Sequence, residues 1–218
     1  MKCAVLIPTF QRAHRLWDVA ENALLSSPDV TVYFIIEPFD RETMEMVSML
    51  RDLKAVNFIW NERTKNYAGA INTGVQRTTE PLVFAGADDL NFHAGWLEVA
   101  AAKLSEMIKV VGTNDLGNRE VLSGEHATHY LVARDYANIG VIDQPGVMLC
   151  EQYEHNWTDT EFIQTAKARG AFLPCLESIV EHKHWAWGKA SVDETYNKGS
   201  RTEPNDRARF LERQHLWM

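Results

Sequence analysis

Asp88 and Asp89 are adjacent carboxylates that follow an apolar run, Pro81 to Ala85, expected to form a buried strand. Like charges so placed repel each other unless a cation or hydrogen-bond donors offset them. The pair suits a divalent ion that also touches phosphate oxygens. A turn, or the N-cap of a helix near Gly95, accounts for it equally. His182 and His184 are two apart within Ser178 to Trp185, which reads as a late strand. Extended backbone puts both imidazoles on one side and Glu181 on the other. With Asp88 they make a mixed His/carboxylate set suited to Mn or Mg beside phosphate. The plainer reading is one packed and one exposed histidine. Thr158-Asp-Thr-Glu161 has the spacing of a capping box, which would use Glu161. Asp159 gains from the helix dipole and is free to act as a general base on a hydroxyl. Trp157, Trp185 and Trp187 flank these groups and could stack on a sugar or base, or pack in the core. Arg12 and Arg15 suit phosphate or a solvated helix face. His126 and His129 read as loop residues rather than a second metal site.

These side chains need a scaffold that gathers them. Cys3 to Ile7, Val30 to Ile36 and Val56 to Trp60 read as further buried strands, and Val110-Val111 as the start of a fifth. Between them, Leu16, Val19, Ala20, Ala23 and Leu24 have helical spacing, as do Met46, Val47, Leu50 and Leu53. Ala68, Ile71 and Val75 mark a third helix, and Leu97, Ala100, Ala101, Leu104 and Ile108 a fourth. Alternating strands and helices predict parallel βαβ units, which bind ligands at the carboxyl ends of their strands. Asn114 to Thr128 reads as a long loop, Tyr130 to Ala133 as a strand, and Thr158 to Arg169 as a helix stopped by Gly170. The tail from Lys189 is polar as far as Phe210-Leu211, where a short terminal helix is expected.

Common nucleotide and hydrolase signatures are missing. No Gly-x-Gly-x-x-Gly follows the first strand, and Gly69 to Gly74 lacks the Lys-Ser/Thr of a P-loop. There is no His-Glu-x-x-His or Gly-x-Ser-x-Gly. With 218 residues, 45% of them hydrophobic, the chain supports one large domain. A net charge of -8 argues against a general nucleic-acid sleeve. The cysteines, Cys3, Cys150 and Cys175, are few and scattered, which points to reduced thiols and a cytoplasmic setting. No stretch reads as a signal peptide or membrane span.

In order and spacing, these motifs resemble family-two glycosyltransferases of the nucleotide-diphospho-sugar (GT-A) fold. Val5-Leu-Ile-Pro-Thr-Phe-Gln-Arg12 is similar to their opening strand and nucleotide loop, and Asn66-Tyr-Ala-Gly-Ala-Ile-Asn72-Thr-Gly74 to the segment packed under the nucleotide. Phe84-Ala-Gly-Ala-Asp-Asp-Leu90 stands where the family carries Asp-x-Asp, with Gly86 in place of the first aspartate. Asp159-Thr-Glu-Phe162, Gly170 and Val180-Glu-His-Lys-His184 resemble the late acidic helix and closing histidine. The segment Lys65 to Ala68 lacks the family's arginine.

The resemblance implies a single α/β domain over 1–188, with a mostly parallel central sheet flanked by helices. Residues 1–112 would be the nucleotide-sugar half, 113–188 a less regular acceptor half, and 189–218 a tail. Pro8, Thr9 and Arg12 would line the nucleotide pocket, with Asn66 and Asn72 beneath it. Glu37 would hold the base or ribose. Asp88 would bind Mn or Mg and diphosphate together with His182 or His184. Asp159 would be the catalytic base, with Glu161 as the fallback. The loop from Asn114-Asp115 to His129 would face the acceptor. The implied reaction moves a sugar from a nucleotide-diphosphate donor, UDP-sugar favoured, to an acceptor hydroxyl with inversion. The compact chain looks like stand-alone transferases of bacteria or phages. The acceptor is not identified by the sequence: a glycan is one option, and a phage source would raise a modified DNA base, which the acidic balance does not favour. A sugar-nucleotide pyrophosphorylase shares the sheet but needs a glycine-rich loop that Pro8 to Arg12 lacks. A non-catalytic nucleotide- or glycan-binding module is the other alternative, encouraged by Gly86.

Overall fold

Apolar runs that end abruptly in polar residues build the sheet. The computed structural model describes residues 1–50 and 53–218. In it, β1 (Cys3–Thr9), β2 (Val30–Ile36), β3 (Val56–Trp60) and β4 (Leu82–Ala85) pair in parallel, with β1 between β2 and β4. Helices α1 (Leu16–Ser26), α2 (Arg41–Leu50) and α3 (Tyr67–Arg77) make the crossovers. The helix expected over Met46 to Leu53 is seen through Leu50, and its course across 51–52 lies outside the described residues. Side chains alternate across β1, as strand geometry demands. Cys3, Val5 and Ile7 join a core with α1, while Ala4 and Leu6 face Ile71 and Val75 of α3.

The second half adds β5 (Leu90–Phe92), α4 (Trp96–Ala101), β6 (Val110–Asn114), α5 (Arg119–Leu122), β7 (Tyr130–Ala133) and α6 (Arg134–Ile139). A two-stranded ribbon of β8 (Gly140–Val141) and β9 (Gln144–Pro145) follows, then α7 (Thr158–Ala168) and β10 (Phe172–His182). The main sheet has the order β3-β2-β1-β4-β7-β6-β10-β5. β7 runs against both β4 and β6, so its first residue, Tyr130, lies opposite Ala85 at the end of β4. This reversal carries the segment before β7 to the ligand-binding edge of the sheet. The late strand begins at Phe172 rather than Ser178, because Phe172 to Cys175 pair with Val110 to Thr113 before the register shifts. Among the described residues, no helix is long and apolar enough to cross a membrane.

The tail differs most from expectation. Instead of a short helix near Phe210, α8 spans Glu194–Arg213, with Gly199 and Pro204 inside it. Those two helix breakers and the polar composition hid it from periodicity. Its stability comes from docking. Asp206, buried on α8, accepts the backbone N–H groups of Glu154, His155 and Asn156 at 2.7, 2.9 and 2.8 Å. Gly199 packs on His155, where an added Cβ would lie 2.7 Å from the ring. Arg213 at the far end donates to Glu161 Oε2 and Oε1, both at 2.8 Å, and to both oxygens of Asp143 at 2.8 and 2.9 Å.

The Thr158 capping box does not form. Trp157 is the N-cap residue, in the left-handed region at φ 68°, and it makes no side-chain cap bond. Glu161 instead turns inward to Arg213 and to the Tyr153 hydroxyl, which donates at 2.6 Å. Removing Arg213 would strand a buried carboxylate, so Arg213→Ala is expected to lose about 3–5 kcal/mol of stability. Urea denaturation checks this, and a loss near zero would show that Glu161 finds another partner.

Candidate active site

Thr9 ends β1, and the chain then turns through Gln11, which has a left-handed φ of 56°. The Gln11 N–H donates to Asp40 at 2.6 Å, which fixes that turn. The turn aims Arg12 into the protein, where only 6% of it is exposed. Its Nη1 donates to Asp88 Oδ1 at 2.9 Å, and Thr9 Oγ1 donates to Asp88 Oδ2 at 3.1 Å. The other side of the guanidinium makes a two-point contact with Asp193 at 2.9 and 2.8 Å, and its plane stacks over Tyr196 at 4.5 Å. Tyr196 donates its hydroxyl to Asp89 Oδ2 at 2.8 Å, and Arg15 lies 3.5 Å from the same oxygen. Asp193 is the N-cap of α8, so the start of that helix covers the acid pair.

The pair caps no helix near Gly95, whose helix has no side-chain cap bond. Gly86, two residues upstream, lies where an added Cβ would meet the Leu6 carbonyl oxygen at 3.0 Å. Close packing of β4 on β1 thus crowds any larger residue at the position of the missing aspartate. Burial pushes the Asp88 carboxyl up to about 6; Arg12 opposes the rise and the neighbouring Asp89 charge adds to it. Asp89 is held well below the usual carboxylate range, because His182, Arg12 and the Tyr196 hydroxyl outweigh its burial.

β10 brings the histidines in. The ring centroids of His182 and His184 lie 5.0 Å apart, with Trp187 5.1 Å from each, while Glu181 points to Lys189 at 2.7 Å. His182 Nε2 lies 3.2 Å from Asp89 Oδ1, an oxygen that has no hydrogen-bond partner. Burial and the neighbouring His182 push His184 down to about 4, so its ring is neutral at pH 7. Among the described residues, no three His, Cys, Asp or Glu side chains already stand in metal-holding geometry. An orphaned carboxylate oxygen against an imidazole is nonetheless a donor set that fits a divalent cation, with Asp89 and His182 facing each other more directly than Asp88 and His182.

Asp159 sits in the first turn of α7 with its side chain 24% exposed. Its Oδ2 is 3.3 Å from His126 Nε2, and its Oδ1 accepts the Thr160 N–H at 2.8 Å. Burial would raise this carboxyl, but the hydrogen bond to His126 and the imidazole's charge hold it below its ordinary value. Burial would likewise lower His126, and Asp159 raises it. Two residues on, Glu161 is only 2% exposed and locked to Arg213 and Tyr153. Asp159 is therefore the more accessible of the two carboxylates.

Asn66 and Asn72 both make bracing contacts. Asn66 caps α3 through Gly69 N–H at 2.7 Å and donates to the Glu151 and Tyr153 carbonyls at 3.0 and 2.7 Å. Asn72 exchanges hydrogen bonds with the Leu149 backbone at 2.8 and 2.9 Å. Both tie α3 to residues 149–153. Pro8 lies inside β1 opposite Ile35, and half-buried Glu37 accepts from Asn61 Nδ2 at 2.7 Å just beyond β2. Sequence reasoning missed Asp193 and Tyr196, which lie in the polar tail, and the pairing of His126 with Asp159. The one available signal was an Asp three residues before a Tyr at a helix start.

The Glycosyl transferase family 2 profile matches residues 4–194. No curated protein sequence matches the chain significantly. Solved structures with a similar fold include the mannosyltransferase PcManGT from Pyrobaculum calidifontis in complex with GDP-Man and Mn2+, at 14% identity and a TM-score of 0.65. That match covers 83% of this chain and 56% of the mannosyltransferase chain, so this chain spans little more than half of that relative. Glucosyl-3-phosphoglycerate synthase from Mycobacterium tuberculosis, with Mn2+, UDP and phosphoglyceric acid, is similar at 12% identity and a TM-score of 0.61, covering 84% and 71% of the two chains. S. aureus TarS 1-349 is similar at 13% identity and a TM-score of 0.62, covering 83% and 59%. Extending from the first strand to the start of α8, the profile match takes in both the acid pair and Asp159, and the chain belongs to glycosyltransferase family 2.

Proposed function

We propose that the chain transfers a sugar from a nucleotide-diphosphate donor, UDP-sugar favoured, to an acceptor hydroxyl, with inversion and with help from a divalent metal. One observation carries the reading. The Arg12 guanidinium is held on Asp88 at 2.9 Å beside an unpaired Asp89 oxygen that faces His182, and the accessible Asp159 opens α7, whose Phe162 packs on Tyr130 opposite the end of β4. This arrangement supports a diphosphate site and a base at the carboxyl edge of the sheet. The Mn2+ complexes of the mannosyltransferase with GDP-Man and of the synthase with UDP support a metal and a nucleotide donor here.

The parts divide the work as follows. Thr9 and Arg12 receive the diphosphate beside Pro8, with Glu37 toward the ribose or base and Asn66 and Asn72 bracing the floor. Asp88, Asp89 and the His182–His184 pair would hold Mn or Mg. When bound, the cation supplies positive charge for the departing diphosphate. Arg12 adds a fixed charge to the same leaving group. Asp159 accepts the acceptor's hydroxyl proton as that oxygen bonds to the anomeric carbon and the sugar–phosphate bond breaks. His126 keeps Asp159 ionised and oriented.

Turnover of UDP- and GDP-sugars with Mn2+ tests the reading, and Asp159→Asn should lower kcat at least about a hundredfold with donor Kd unchanged. A fully active D159N that folds normally would remove the base. His126→Gln takes away the group that holds the Asp159 carboxyl down. The acid limb of its kcat/KM profile should move to higher pH, and an unmoved limb would show that His126 does not tune the base. Asp193 now occupies the two Arg12 N–H groups a diphosphate would take. Asp193→Asn keeps a good helix cap but removes the competing charge. Its Kd for UDP with Mn2+, read by calorimetry, should fall about three- to tenfold.

A further inference from the structure

Buried polar groups are almost always paired, so those that are not point to what they are shaped to meet. Among the described residues, three side chains that keep an unpaired buried polar atom are neighbours: Asp89 with Oδ1, His129 with Nε2 and His182 with Nδ1. Each is at least nine-tenths buried. His182 Nε2 lies 3.2 Å from Asp89 Oδ1, and the His182 and His129 rings lie 4.9 Å apart, edge to face. The backbone holds His129 firmly, because its carbonyl accepts the Thr113 N–H at 3.1 Å and the Thr113 hydroxyl at 3.0 Å. Buried Asp115 secures both histidine segments. Its side chain accepts the Thr128 hydroxyl at 3.0 Å, and its carbonyl accepts the His182 N–H at 3.0 Å. His129 Nδ1 is 3.1 Å from the Ala85 carbonyl. A carbonyl can only accept, so Nδ1 carries the proton, and in the neutral ring Nε2 keeps a free lone pair. Metal-binding histidines are held in this way, with the second ring nitrogen donating to a carbonyl that fixes the tautomer.

We propose that His129 is a third protein ligand of the divalent cation, beside Asp89 and His182, and that the two imidazoles make the site favour Co2+ and Zn2+ over Mg2+. This rests on the metal-assisted reading above. The spacings suit a shared ion. Ligand atoms about 2.1 Å from one cation and about 90–110° apart lie about 3.0–3.4 Å from each other, and two imidazoles so bound have ring centroids about 4.6–5.3 Å apart. Among the described residues the three side chains do not stand in finished metal-holding geometry, so the site is completed by closing on the cation. Strand register explains why the extra imidazole comes from β7. Tyr130 pairs with Ala85, so His129 stands one step further along, level with Gly86. At Gly86 the Leu6 carbonyl oxygen would lie 3.0 Å from any Cβ. The neighbouring strand thus supplies a ligand where β4 has no room for one. An imidazole in place of a carboxylate moves the preference from a cation that seeks oxygen to one that accepts nitrogen.

The test titrates the wild-type chain and His129→Asn with Mg2+, Mn2+, Co2+ and Zn2+ by calorimetry, with and without UDP. Asparagine keeps a donor for the Ala85 carbonyl and removes Nε2. Wild type should bind Co2+ and Zn2+ at least about tenfold more tightly than Mg2+. The variant should bind Co2+ and Zn2+ at least about tenfold more weakly than wild type, with Mg2+ binding changed by no more than about twofold. Imidazole 15N spectra of the wild-type chain with Zn2+ give a readout that does not depend on how the variant folds. One nitrogen each of His129 and His182 should shift together, while His129 Nδ1 keeps its proton. Unchanged Co2+ and Zn2+ binding in the variant, shifts at His182 and His184 without His129, or a wild type that holds Mg2+ as tightly as Zn2+ would overturn the inference alone. Equal weakening of all four cations with a lower unfolding temperature would assign His129 a structural role and also overturn it. If the wild-type chain binds none of the four, with UDP or without, the metal part of the reading above falls and the inference with it.

Discussion

Two carboxylates, adjacent in the chain and both nearly buried, must be kept in one small space. Asp88 and Asp89 are 5% and 6% exposed, and their mutual repulsion in a medium of low polarity is costly unless positive charge is close. Arg12 supplies most of it, with Arg15 and His182 around the second carboxylate. Satisfying this requirement fixes four remote segments at once: the end of β1, the turn after β4, the end of β10 and the start of α8. The left-handed turn at Gln11, the parallel pairing of β1 with β4 and the Tyr196 hydroxyl are all arrangements that let the acid pair be buried.

Asp159 and Glu161 show how environment divides roles within one turn of helix. They are two residues apart on α7, yet one faces an imidazole in a partly open site and the other a guanidinium in the interior. The first keeps its proton affinity low while remaining reachable. The second is consumed by structure. The same division separates the asparagines of α3, whose amides fasten residues 149–153, from Arg12, whose guanidinium is shared between acid pair and tail.

The frame was legible because it rests on local pattern. Val30 to Ile36 and Cys3 to Ile7 are apolar runs closed by polar residues, and their ends marked the edge where Asp89 and His182 meet. The partners of the site were not legible, since each is a long-range contact. His126 reaches Asp159 across 33 positions, and Asp193 reaches Arg12 across 181. No periodicity encodes such pairings. Thr158 to Glu161 misled for a related reason: its spacing fits a local cap, but Arg213, far along the chain, offers the buried carboxylate a stronger partner. In the tail, Gly199 and Pro204 lower intrinsic helicity, and the docking of Asp206 onto three backbone amides compensates.

That docked helix gives the chain a unit of folding that does not coincide with its unit of descent. The family match closes at residue 194, where α8 begins, yet α8 ties Asp89 at one end to Glu161 at the other through Tyr196 and Arg213. It works as a strut across the two halves of the molecule. A fragment cut at the inherited boundary would keep every recognisable motif and lose the Tyr196 hydroxyl that meets Asp89 and the Arg213 counter-ion of buried Glu161. Family boundaries drawn from shared sequence can thus fall short of the smallest piece that stands alone.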